Sequence, residues 1–246
     1  MASELAFVLI NPHSIAKSRT GGIISRFMSR TGLELVAARM FGPSVELARR
    51  YAALLREEPT GDPAIRAILA DYVERSYAPV TSTGRRRRVL MLLFEGDGAI
   101  EKIAQVTGPL RSNMEAGETI RDTYGDYVVS ETGELRYVEP AILVGPTPDS
   151  VRNTLRLWAA FSESDGGLVE NASDASFAEA PEKTLVLIKP DNFKFPSARP
   201  GNIIDLFSRS GLRIIGAKVH RMSVAEALRF YGPVQNILRT KLNDVV

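Results

Sequence analysis

A motif that occurs twice constrains this chain more than any other feature. Val8-Leu9-Ile10-Asn11-Pro12 recurs as Val186-Leu187-Ile188-Lys189-Pro190, an offset of 178 residues (from 8 to 186). After one inserted residue, Ser29-Arg30-Thr31-Gly32-Leu33 recurs as Ser208-Arg209-Ser210-Gly211-Leu212, and Ala38 and Ser44 recur as Ala217 and Ser223. Two matched blocks in one order, apolar at the same places, point to duplication of a folded unit. The chain then divides into a unit over 1–161, a surface linker over 162–183 rich in Ser, Asp, Glu, Gly and Ala, and the opening part of a second unit over 184–246.

Within the first unit, Leu5 to Ile10 is a short apolar run closed by Asn11-Pro12, as a buried strand would be. Gly21-Gly22 opens a helix with Ile23, Ile24, Phe27 and Met28 at helical spacing, and Gly32 stops it. A strand over Leu33 to Met40 follows, then a helix from a Ser44 cap through Leu54 and another from Asp62 or Pro63 through Val73. Val89 to Phe94 is an apolar strand ending at Glu95-Gly96, with a helix from Gly98 to Val106 behind it. A polar loop covers Thr107 to Leu135, Ala141 to Val144 is a last strand, and Pro148 to Phe161 reads as a helix. Stripped of extras, the order is strand, helix, strand, strand, helix, strand, so the fold expected is α+β, the ferredoxin-like split unit, with a partial second copy.

Composition narrows the chemistry. The chain has no cysteine, which excludes a disulfide framework and thiolate zinc or thiol catalysis. Its two histidines, His13 and His220, leave little for metal ligation, and no metal site is expected. No apolar run approaches the roughly 18 residues of a membrane span and no signal peptide opens the chain, so no membrane association and a cytoplasmic location are expected. A net charge of +2 does not by itself call for nucleic acid. The run Arg85-Arg86-Arg87-Arg88 is read as an exposed edge or loop, because the strand after it lacks the interleaved aromatics of an RNA-reading sheet.

Several motifs could carry chemistry. Lys189-Pro190-Asp191 follows an apolar run, where a lysine can reach a phosphate. Thr119-Ile120-Arg121 and Tyr124-Gly125-Asp126 lie in the long loop, and an arginine fork matches phosphate oxygens. Glu118, Asp122 and Asp126 are read as solvated acids rather than as a magnesium site. Phe94-Glu95-Gly96-Asp97-Gly98 lacks the spacing of a glycine-rich phosphate loop and is read as a strand-ending turn.

Taken together these residues resemble the nucleoside diphosphate kinase family. The family pattern is an I-K-P-D turn after the first strand, a strand ending in E-G, a T-I-R loop and an H-x-S-D-S segment bearing a histidine that becomes phosphorylated. The resemblance covers Ala6 to Phe161 once and Thr184 to about Leu242 again for the opening part. It implies that Lys189 and Arg121 contact nucleotide phosphate, that Thr119 belongs to the same loop, and that Tyr51 and Tyr231 support the site. It further implies magnesium brought with the nucleotide, nucleoside di- and triphosphates as partners, and homo-oligomers.

The departures matter more. Asn11 and His13 replace the lysine and aspartate of the opening turn, and Glu101 to Thr107 offers no arginine. The segment resembling H-x-S-D-S reads Val144-Gly145-Pro146-Thr147-Pro148-Asp149-Ser150, without the histidine. The relay from one nucleotide to another needs that nucleophile. His13 is the one candidate replacement and His220 is read as structural, so no catalytic residue is assigned. A half unit would leave Ile203, Ile204, Phe207 and Leu238 without a full sheet, which suggests a longer tandem protein with catalysis in a completed second copy. Three readings compete: a family member whose first copy binds nucleotide without catalysis, an inert assembly module, and an RNA binder using Arg85 to Arg88.

Overall fold

A computed structural model describes residues 3–110, 117–129, 135–172, 182–235, 237, 239 and 240. The leading apolar run forms β1 (Glu4–Ile10) and breaks at Pro12, which starts the short helix α1 (Pro12–Ala16). Helix α2 (Thr20–Thr31) ends at Gly32, whose φ of 67° lies in the left-handed region that a side chain would disfavour. Next come β2 (Glu34–Phe41), α3 (Val45–Glu57) and α4 (Pro63–Tyr77). Ser44 caps α3 by accepting from the Leu47 amide at 3.2 Å, and Asp62 caps α4 by accepting from the Ala64 amide at 2.8 Å, with Pro63 at the first helical position. Then follow β3 (Val89–Gly96), α5 (Ala99–Thr107), α6 (Ile120–Tyr124), β4 (Asp126–Val129), β5 (Leu135–Glu139), β6 (Ile142–Val144), α7 (Pro148–Ala160) and α8 (Ser162–Asp165).

The main sheet runs in the order β2-β3-β1-β6 and every pairing in it is antiparallel. This is the split α+β unit that the element order implies. The strand nearest the N-terminus is central, with Leu9 opposite Met91 on one side and Leu143 on the other. Phe7, Val8, Leu9 and Ile10 are correspondingly buried. At about 25 cal/mol per Å² of apolar surface, such residues supply much of the driving force for folding.

Three expectations need correction. The polar loop over Thr107 to Leu135 contains α6 and a β4-β5 hairpin, because Thr119 and Asp122 form a capping box that stabilises a helical turn among polar residues; residues 111–116 and 130–134 lie outside the described residues. The linker is not wholly superficial: Asp165 and Val169 are buried, and Phe41 bridges Gly166, which extends the β2 margin. Residues 173–181 lie outside the described residues.

The third correction concerns the second copy. Residues 184–188 form no strand, and Leu185 and Leu187 are 79% and 51% exposed. The first unit supplies the reason, since β1 is held between β3 and β6 while nothing in these 246 residues repeats those two strands. An isolated strand has no hydrogen-bond partners and no cover. The second segment does form a 3-10 turn at Pro190–Phe193, helices α9 (Arg199–Ser208) and α10 (Val224–Tyr231), and another 3-10 turn at Gly232–Val234. Helix α9 packs on α2, and Ile204, Ile214 and Ala217 rest partly buried against the first unit's core. Leu238 lies outside the described residues, and Phe207 is 37% exposed.

Candidate functional site

The exit of β1 is where the family motif would place its phosphate lysine. Asn11 occupies it and is fully buried. The Tyr77 hydroxyl donates to Asn11 Oδ1 at 2.6 Å, and the Asn11 backbone amide donates to the Ala141 carbonyl at 3.1 Å. The hydroxyl of Ser14 donates to that same carbonyl at 3.0 Å. The turn is thus tied inward, to α4 and to the approach of β6.

Tyr51 stands beside it, in a stack of rings. Its ring centroid lies 6.2 Å from Tyr77 and 5.6 Å from Trp158, and Tyr72 meets Tyr77 edge-on at 6.3 Å. All four rings are buried, and the Tyr51 hydroxyl and Trp158 Nε1 have no hydrogen-bond partner among the described residues. Burial pushes the Tyr51 phenol well up. For Tyr77, burial does the same, reinforced by Tyr51, Tyr72 and Glu139. Edge-to-face rings of this kind favour a filled, rigid interior.

By the resemblance, counting back from Asp149-Ser150 would put the family's phosphorylated histidine at Pro146. It lies exposed in the bend between β6, which ends at Val144 paired with Val8, and α7. Asp149 and Ser150 fall in the first turn of α7, where Thr147 accepts from the Ser150 amide at 3.1 Å and Asp149 pairs with Arg152 at 2.7 Å. Both are engaged in starting a helix.

Thr119 and Arg121 are brought together by α6. Thr119 and Asp122 exchange side-chain to backbone hydrogen bonds at 3.2 Å. Arg121 turns back to donate from Nη1 to the Gly108 carbonyl at 2.8 Å, while its Nε is buried without a partner among the described residues. Burial lowers the affinity of this guanidinium for its proton.

Sequence reasoning missed a charged cluster beside this loop. His13 Nε2 lies 3.0 Å from Asp126 Oδ2, and Arg19 Nη1 donates to the same oxygen at 3.1 Å and to the Tyr124 carbonyl at 2.5 Å. Burial opposes ionisation of Asp126, yet Arg19 and His13 outweigh it and hold its carboxyl below the usual range. The available signal was the pairing of polar residues 113 positions apart, which no local pattern reveals.

Glu118, Asp122 and Asp126 do not converge. Asp126 serves His13 and Arg19, Asp122 caps α6, and the Glu118 carbonyl accepts from Arg30. Among the described residues no three His, Cys, Asp or Glu side chains stand together, so these residues offer no preformed magnesium site. Lys189 and Tyr231 lie exposed on the second segment, where Tyr231 contacts Phe230 at 5.1 Å between ring centroids. His220 lies 3.8 Å from Glu226.

The four arginines depart from the expected exposed loop. Each of Arg85 to Arg88 is half-buried, because the run tethers later chain: the Arg86 amide donates to the Asn171 carbonyl at 2.7 Å and Arg88 Nη1 to the Ile214 carbonyl at 2.6 Å. No helix among the described residues is long and apolar enough to cross a membrane.

Comparison with known proteins points to one family. The family model described as nucleoside diphosphate kinase matches residues 4–132. A nucleoside diphosphate kinase of Microcystis aeruginosa is 29% identical over 163 residues, which cover 65% of this chain and 90% of the relative. One from Pyrococcus furiosus is 31% identical over 122 residues, covering 50% and 65% respectively. The crystal structure of an NDP kinase from Pyrobaculum aerophilum aligns over 64% of this chain and 96% of its own, at 21% identity and a TM-score of 0.48. With the family model spanning more than half of its residues, this chain belongs to the nucleoside diphosphate kinase family.

Proposed function

We propose that this chain is a member of its family that has given up the phosphoryl relay and persists as a catalytically inert scaffold. The family acts on nucleotides, and the relay passes a phosphoryl group through an imidazole nitrogen. One observation carries the reading: the position of that imidazole is Pro146, whose ring has no lone pair to offer. The surroundings support it. The Asn11 side chain carries no positive charge and is tied to Tyr77, and the Tyr51 hydroxyl faces protein on all sides. His13 is bound to Asp126 on a different element from β6.

The test uses ATP labelled on its terminal phosphate, followed by assay for acid-labile phosphoprotein and for transfer to GDP. No label and no labelled GTP are expected. Label that disappears in His13→Ala would overturn the reading, since it would make His13 the carrier.

A second reading, nucleotide binding without catalysis, draws on Arg121, whose buried Nε is left over after its bond to Gly108. A charge-assisted bond to phosphate contributes roughly 1.5–3 kcal/mol. Under that reading a nucleotide titration saturates, and Arg121→Ala weakens binding by about tenfold or more. Under the scaffold reading neither protein saturates.

A further inference from the structure

The turn after α9 is where the recurring block changes sign. From Ser29 onward the counterpart of a residue lies 179 positions later (from 29 to 208), so Glu34 of the first unit corresponds to Arg213. Gly211, the glycine of that block, has a φ of 84°, in the left-handed region where a side chain is strained, and it turns the chain back after Ser210. Leu212, Arg213 and Ile214 are thereby laid beside the first unit, where Arg88, the last of the arginine run, donates to the Ile214 carbonyl at 2.6 Å.

A cavity of about 240 Å³ lies at this contact. Ser18, Thr20, Arg88, Ser208 and Arg213 form its polar lining, and among the described residues no carboxylate side chain lines it. Thr20 and Ile15 are buried, Arg88 is half-buried, and Ser18 and Arg213 are exposed, so the floor is closed and the mouth carries a cation. Thr20 is only 2% exposed, and its Oγ1 is buried with no hydrogen-bond partner among the described residues. Leaving a buried hydroxyl unpaired is costly, and native structures leave few such groups without a partner. Thr20 also opens α2, whose first turn favours negative charge. A guanidinium carries five N–H donors, so one that binds protein can also bind an oxyanion.

We propose that this cavity binds an oxyanion of the phosphate type, with Arg88 and Arg213 supplying positive charge and the Thr20 hydroxyl donating from the floor. A tetrahedral oxyanion accepts from guanidinium forks and hydroxyls together. The cavity is smaller than the roughly 300–1,000 Å³ that hold drug-sized ligands, which suits a single phosphate group. An anion held by both arginines links residues 208–214 to the first unit. The site shares no residue with β6 or α6, so it stands apart from the lost relay and from Arg121.

The full chain is titrated by calorimetry at constant ionic strength with inorganic phosphate and, separately, with glycerol 3-phosphate as a phosphomonoester. Saturable binding of at least one is expected. Preference for inorganic phosphate identifies the free ion as the ligand, and preference for the ester identifies the phosphoryl group of a small organic molecule. Arg88→Gln and Arg213→Gln should each weaken binding about tenfold or more, and Thr20→Val roughly two- to tenfold. Thr20→Val separates binding from folding, because it deletes a hydroxyl that makes no hydrogen bond among the described residues. Its thermal midpoint without phosphate should equal or exceed that of the unaltered chain while its phosphate affinity falls. It carries the test if Arg88→Gln, which also loses the bond to Ile214, releases residues 208–214. Saturable binding of neither anion, or binding that survives unchanged in both Arg213→Gln and Thr20→Val, overturns the site. Binding lost in Arg121→Ala but kept in Arg213→Gln puts the anion at α6 and overturns it as well.

Discussion

At the scale of single residues, the turn after β1 is a structural joint, with Asn11 held by Tyr77 and by the Ala141 carbonyl. Removing the Tyr77 hydroxyl leaves the Asn11 side chain buried with one partner fewer, a situation that costs about 1–3 kcal/mol. Tyr77→Phe should therefore lower the urea unfolding free energy by that amount, and Asn11→Leu, which removes the polar group as well, should cost less than Asn11→Asp, which buries a charge. Asp126 makes a pH prediction. Its folded pKa is held below the ordinary 3.8, so its contribution is present above that value and is lost as pH falls through the lower folded value. Asp126→Asn should flatten the part of the acid unfolding curve below pH 3.8, read by circular dichroism, and remove the same contribution near neutrality, a small one because the side chain is half exposed. Sequence reading singled out Asn11 as a departure from the opening turn. It did not reach Tyr77 or the His13-Asp126-Arg19 cluster, since both depend on residues far apart in the chain coming together.

At the scale of elements, two copies of one motif have met two fates. The run Val8-Leu9-Ile10 is a central strand, and Val186-Leu187-Ile188 is none, although the residues are the same. Apolar pattern and β-propensity are equal in the two, so partners decide. Leu9→Ala should cost about 2–5 kcal/mol in a denaturant melt, and Leu187→Ala less than about 0.5 kcal/mol. Equal losses would mean that 184–188 is buried after all. The order of strands and helices in the first unit was legible because hydrophobic period, glycine stops and capping residues agreed with one another. The helix α6 and the hairpin of β4 and β5 were not, since elements of four or five residues among polar neighbours carry too little periodicity to be seen.

At the scale of the whole molecule, the recurring motif was the most informative sequence feature, and its meaning was only half visible. Two matched blocks announce a repeat; they do not say that the repeats lie on each other. That took the bridge between Arg39 and Lys218 and the meeting of Gly21 with Gly201. The arginine run found its explanation at this scale too, as a tether holding Asn171 and Ile214 against the first unit. The packing of α9 on α2 also has a consequence in time. The ribosome finishes α2 at Thr31 and begins α9 at Arg199, so at roughly 5–20 residues per second the glycine face of α2 is synthesised about 10–30 s before its cover. For that interval the face of α2 that carries Gly21 lacks the cover that Gly201 and Asn202 give it, and slower translation lengthens the exposure.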